Sequence, residues 1–238
     1  MVDEEKALTA VSSTEKGMSL FSDMAQFQEY YKIAKFLATT SFIPDTFKNP
    51  SDALAAIDIA KSIGESPIVV MQNMTPVKGR PVFSSVFQRH LVDKKFPHGS
   101  RYEWGGTDKP IPVEYSFKNS NGSFEKKSVQ VPDKKCRFYV ILPDGSKLYG
   151  EWITTEMAVK EGWWAKSGSK WPIMPNQMLA YRAVSFFVKM HCPSVTMAIP
   201  TLEEVHDSST IEFSDAEIID TVSELNAKIS NTDEDQLV

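Results

Sequence analysis

The densest chemistry in the chain lies in the run Gly162-Trp163-Trp164-Ala165-Lys166-Ser167-Gly168-Ser169-Lys170-Trp171-Pro172-Ile173-Met174-Pro175. A Lys-Ser-Gly-Ser-Lys loop leading into a helix start offers cations, hydroxyls and open backbone N–H groups together, which is what an anion site needs. A second group is Arg182, Ser185 and Lys189, spaced i, i+3 and i+7 on a segment that is otherwise apolar. Such a stripe must face a carboxylate, water or an anionic ligand, because an unpaired buried cation is costly. The third is Lys78-Gly79-Arg80, where a tight turn would hold two cations at a protruding tip. Each also has a plain structural reading: a loop between packed tryptophans, a helix paired with acids, and a soluble hairpin tip.

Signatures of bond-making chemistry are missing. The sequence has no phosphate-binding P-loop, no GxGxxG, no GxSxG and no His-x-x-x-His pair. His191 and Cys192 are neighbours, but adjacency alone orients no base towards a nucleophile. The carboxylates Asp93, Glu103, Asp108, Glu114 and Glu151 could serve a metal-dependent nuclease, yet no paired motif singles them out. Two cysteines in 238 residues exclude a disulfide scaffold and fit a reducing cytosol. No apolar run is long enough to span a membrane, and the acidic start Met1-Val2-Asp3-Glu4-Glu5-Lys6 does not read as a secretion signal. The expectation is a cytoplasmic, non-enzymatic protein without a cofactor or metal.

The formal net charge is -5, but residues 61–192 carry 20 Lys/Arg against 11 Asp/Glu, while residues 193–238 carry 1 against 11. The charge asymmetry fits either a solvated surface whose charges cluster or a polyanion-binding body whose acidic tail competes for the same surface. All five tryptophans (Trp104, Trp152, Trp163, Trp164, Trp171) fall inside the basic middle. Rings interleaved with cations are what a single-stranded nucleic-acid groove uses, the cations holding phosphates and the rings stacking on bases. Core packing is the competing reading for most of these rings.

The elements that would position these groups follow from period and punctuation. A flexible N-terminus is expected over residues 1–19, then a helix over about Leu20 to Thr39. Asn49 and Pro50 open a second helix that Gly64 stops. Ile68 to Met74 reads as a strand, Lys78-Gly79 as a turn and Pro81 to Phe83 as the return, followed by a short helix capped by Ser84. A meander is expected from Arg101–Trp104, Ile111–Phe117, Phe124–Val131, Arg137–Leu142 and Leu148–Ile153, with turns at Asn121-Gly122 and Pro143-Asp144-Gly145. Thr154 or Thr155 caps a brief helix. Pro175 to Cys192 is apolar almost all round and should be a buried helix. The sum is an α+β core over residues 20–207, an antiparallel hairpin and meander sheet packed with helices. An acidic tail over 208–238 carries a short amphipathic helix near residues 214–230.

The run Gly162-Trp163-Trp164, Gly168-Ser169-Lys170-Trp171, Met174-Pro175, Met178-Leu179 and Tyr181-Arg182-Ala183, continuing to Pro193 and Glu203-Glu204, resembles the signature of RecT-type phage recombinases. Upstream, Pro67, Met71-Gln72-Asn73, Gly79, Pro81, Ser84-Ser85 and Phe87 are similar to that family's hairpin and following helix. These are single-strand annealing proteins of the Red-beta group. The resemblance spans roughly residues 35–207 and implies a Rad52-like core, ATP-independent binding of single-stranded DNA, annealing through a duplex intermediate, and ring or helical homo-oligomers. Partners would be a phage exonuclease and host single-strand binding protein. Ser169, Lys170, Trp171 and Arg182 fall on its C-terminal signature, and Gly79, Ser84, Ser85 and Gln88 on its N-terminal one. With Lys78, Arg80, Lys166 and Lys189, these (Gly79 aside) are the expected DNA-binding residues. A protein-interaction module of a recombination complex is the alternative reading.

Overall fold

The computed structural model describes residues 24–118 and 124–208. The expected flexible N-terminus, the Asn121-Gly122 turn and the helix near 214–230 lie outside the described residues. The chain divides into two compact units, Met1–Asp207 and Ser208–Val238, and all described residues but the last belong to the first. Among the described residues the fold is mixed α+β, with antiparallel sheets and seven α-helices.

The first three helices are α1 (Met24–Ala38), α2 (Pro50–Ile63) and α3 (Pro67–Asn73). As the sequence indicates, the Asn49 side chain accepts the Ser51 N–H at 3.0 Å, Pro50 takes the first turn, and Gly64 ends α2 at φ +69°. The stretch expected as a strand from Ile68 is helical instead. Pro67 at its first position suits a helix start, and Val70 and Met71 are buried with Ala53, Leu54 and Ile57 of α2. A short apolar run carries no period of its own, so tertiary burial decides its form.

The hairpin is therefore β1 (Met74–Val77) with β2 (Arg80–Phe83), in register Val77 to Arg80. Lys78 (φ 49°) and Gly79 (φ 74°) both take left-handed backbone, matching the twist a two-residue turn demands. Ser84 accepts the Phe87 N–H at 3.1 Å and opens α4 (Ser85–Lys95). Phe83, Phe87 and Leu91 join the core of the first three helices.

The remaining strands are β3 (Ser100–Gly105), β4 (Pro110–Lys118), β5 (Phe124–Pro132), β6 (Lys135–Ile141), β7 (Lys147–Tyr149) and β8 (Ile153–Thr154). They do not form the expected meander. β4 and β5 pair with each other over nine residues as an arm inserted between β3 and β6, which pair antiparallel, and β6 also carries β7 and β8. The segments that lead from β3 into β4 and from β5 into β6 are tied together at the junction. The Asp133 carboxylate accepts the Thr107 N–H and hydroxyl at 3.0 and 2.9 Å, and Asp133 N–H reaches the Lys109 carbonyl at 2.8 Å. Gly106 (φ +99°) lies so close that a Cβ there would meet the Asp133 carbonyl oxygen at 2.2 Å. The single strand expected over Leu148–Ile153 breaks at buried Gly150, whose N–H donates to the Phe138 carbonyl at 2.8 Å. A side chain there would press on Phe187 Cβ at 3.2 Å.

Thr154 caps α5 (Thr155–Lys160), its hydroxyl accepting the Met157 N–H at 2.9 Å. The long α6 (Pro175–His191) then covers one face of the sheet, and α7 (Leu202–Ser208) closes the described chain. Cys136, Phe138 and Val140 alternate inward from β6, and the Phe138 ring meets Phe187 of α6 edge-on at 5.1 Å.

Candidate nucleic-acid interface

Most residues singled out from the sequence are engaged inside the protein. Arg182 is 5% exposed; its Nε and Nη2 donate to Asp207 at 3.0 and 2.7 Å, and Nη1 stands 3.7 Å from Glu204. Its guanidinium also covers the Trp163 ring at 4.2 Å. Ser185 and Lys189 both donate to Glu204. The polar stripe of α6 therefore faces carboxylates of α7. Trp171 is fully buried and donates its Nε1–H to Asp207 at 3.2 Å. Lys166 donates to the carbonyls of His206 and Asp207, while the Ser169 hydroxyl donates to the Trp163 carbonyl at 2.6 Å and accepts the Trp171 N–H at 3.2 Å. The lysine-serine loop is thus folded onto α7. Where DNA contacts were expected of Lys166, Arg182 and Lys189, oxygens of α7 already meet these cations: backbone carbonyls of His206 and Asp207 for Lys166, and the Glu204 and Asp207 carboxylates for the other two.

The upstream group behaves alike. Ser84 caps α4 and donates to Asn73 Oδ1 at 3.1 Å, Ser85 donates to Glu203, and Gln88 is buried with its Oε1 unpartnered among the described residues. Lys78, Arg80 and Lys170 are exposed.

The α6–α7 clasp carries a pH signature. Burial pushes the Glu204 carboxyl upward, but bonds from Lys189, Ser185 and the Thr201 N–H (2.9 Å) outweigh it and hold the group below its ordinary 4.5. A lowered folded-state value stabilises the fold above about 4.5 and ceases to do so as pH falls through the folded-state value. Melting temperature is expected to drop as the pH is taken below about 4.5, and to drop less in Glu204→Gln, which starts lower.

The sheet face turned away from α6 has a different character. Register places Arg101 opposite Tyr139, Glu103 opposite Arg137, Gly105 opposite Lys135, Lys147 opposite Ile141, and Tyr149 opposite Tyr139. Because strand side chains alternate, Lys135, Arg137 and Tyr139 share this face. Trp152, just before β8, joins them: Lys135 Nζ and the Arg137 guanidinium lie 4.7 Å from its ring centroid. Arg137 also covers Tyr149 at 3.9 Å, Lys147 covers Tyr139 at 4.7 Å, and the two tyrosine rings are 5.1 Å apart. Within β3, β6, β7 and β8, four cations (Arg101, Lys135, Arg137, Lys147) stand against one carboxylate, Glu103. Arg137 Nη2 donates to both Glu103 oxygens, at 3.0 and 3.1 Å, and its Nε has no hydrogen-bond partner among the described residues.

Comparison of the chain with protein-family models, curated proteins and solved structures finds no match. The chemistry of this face must speak for itself. Guanidinium and ammonium groups lying on aromatic rings present phosphate-binding charge and base-stacking surface in one layer. Of these residues only Trp152, one of the five tryptophans of the basic middle, stands among those singled out from the sequence. The signal was present as two-residue alternation, Lys135-x-Arg137-x-Tyr139 and Lys147-x-Tyr149, but only the pairing of β6 with β7 brings the two halves together. Elsewhere, burial pushes the Cys136 thiol up to about 12 and Cys192 up to about 11, so neither is a thiolate near neutral pH. Among the described residues, no group of three or more His, Cys, Asp or Glu could hold a metal, and no helix is long and apolar enough to cross a membrane.

Proposed function

We propose that this protein binds single-stranded DNA on the outer face of the β3-β6-β7-β8 sheet and anneals complementary strands without ATP, with a Rad52-like core acting in homo-oligomers. The observation that carries the reading is the shared face of Arg101, Lys135, Arg137 and Lys147 with Tyr139, Tyr149 and Trp152. The resemblance of the Ser169-Lys170-Trp171 and Tyr181-Arg182-Ala183 runs to annealing proteins supports the same function; in this fold Trp171 and Arg182 belong to the clasp that holds α7 on α6.

The physics needs no reacting residue. Cations neutralise phosphates and release counterions, giving affinity that ignores sequence and falls with salt. Ring stacking holds a strand extended while base edges stay open to a second strand. Base-pair stacking, about 1.4 kcal/mol per step, then drives the annealing.

The test is annealing of two labelled complementary oligonucleotides, with no nucleoside triphosphate, across a salt series. Acceleration over the protein-free rate, declining with salt, is the expected result. A protein that leaves the rate unchanged and binds no oligonucleotide at low salt ends the proposal.

A further inference from the structure

Glu103 stands where a phosphate would stand. Its two oxygens take the Nη2 hydrogens of Arg137, both side chains are partly open to solvent, and the guanidinium lies 3.9 and 4.7 Å from the Tyr149 and Trp152 ring centroids. The buried Arg137 Nε, beside that pair, has no hydrogen-bond partner among the described residues. A carboxylate on an arginine is displaced by a phosphate because both present oxygens of the same charge to the same planar donors.

We infer that Glu103 is an internal competitor for the phosphate position on Arg137, exchanged when a strand docks. The inference rests on the DNA reading above and deepens it. In the free protein Glu103 keeps Arg137 lying on its two rings. On binding, Arg137 swaps the carboxylate for a backbone phosphate, and the released Glu103 turns to solvent. Each strand must win this exchange, so the site holds DNA less tightly than its cations allow. That suits a strand which has to be released into a duplex.

The experiment measures binding of a fluorescent oligo(dT) by anisotropy for the unsubstituted protein, Glu103→Gln, Arg137→Gln and the double variant. Glu103→Gln is expected to tighten binding about three- to fivefold, the range of a partly exposed ion pair. In the Arg137→Gln background the same change should do nothing, because no arginine remains to be contested. Unchanged affinity in Glu103→Gln overturns the exchange. So does a gain that survives in Arg137→Gln, which would mark simple repulsion of DNA by the Glu103 charge. Absence of oligo(dT) binding by the unsubstituted protein at low salt is a separate outcome, and it removes the DNA reading and the exchange together.

Discussion

Replacing Arg182 with Ala is expected to destabilise the fold by about 3–5 kcal/mol, the range for removing one partner of a buried ion pair. The substitution leaves Asp207 and Glu204 in the interior without the guanidinium that meets both. It also removes the cation over Trp163. For a unit of this size the melting temperature should fall on the order of 10 °C. Arg182→Lys retains charge but not the two-donor fork on Asp207, so it should recover only part of the stability. Replacing Arg182 and Asp207 together with apolar residues should cost less than Arg182→Ala alone, since no charge is then stranded. Thermal melting separates these cases. An Arg182→Ala protein that melts like its parent yet fails to bind DNA would show this arginine to hold phosphate rather than the centre of the clasp.

The second large effect is expected on the open sheet face. Changing Lys135, Arg137 and Lys147 to Ala together removes three of its four cations. The slope of log affinity against log salt should shrink by about 0.7 for each phosphate of a single strand that is no longer neutralised. At low salt, affinity should fall roughly a hundredfold if all three cations meet phosphates, on the order of 1 kcal/mol each. Trp152→Ala tests the other half of the chemistry, as stacking of one base contributes about 1–3 kcal/mol. Its salt slope should stay as in the parent. Both variants alter exposed or half-exposed side chains, so melting should barely move. Parental affinity in the triple variant would refute the assignment of this face.

Local structure was largely legible. Asn49, Ser84 and Thr154 cap the helices that the sequence indicates, and Gly64 and Lys78-Gly79 turn the chain where expected. These features depend on one or two residues and their immediate neighbours. Misread elements depend on distant partners. Ile68-Val69-Val70-Met71 fits strand or helix until the burial of Val70 and Met71 is known. The order β3-β6-β7 cannot be read from turn signals, which report only that neighbours reverse direction. The open sheet face escapes sequence reading for a related reason. Clustering along the chain draws attention to Lys166, Ser169, Lys170 and Arg182, whereas the sheet collects its cations from β3, β6 and β7. The i, i+3, i+7 stripe on α6 did pose the right question, and Glu204 and Asp207 answer it.

The ribbon formed by β4 and β5 has a kinetic consequence. β3 meets β6 through pairs such as Gly105 with Lys135, thirty positions apart, and closing so long a loop early is entropically unfavourable. The ribbon can zip on its own within microseconds, since its strands are close along the chain. Once zipped, it shortens the remaining gap to a few residues and lowers the closure cost by about 1 kcal/mol. The central sheet would then nucleate from an arm that takes no place in it.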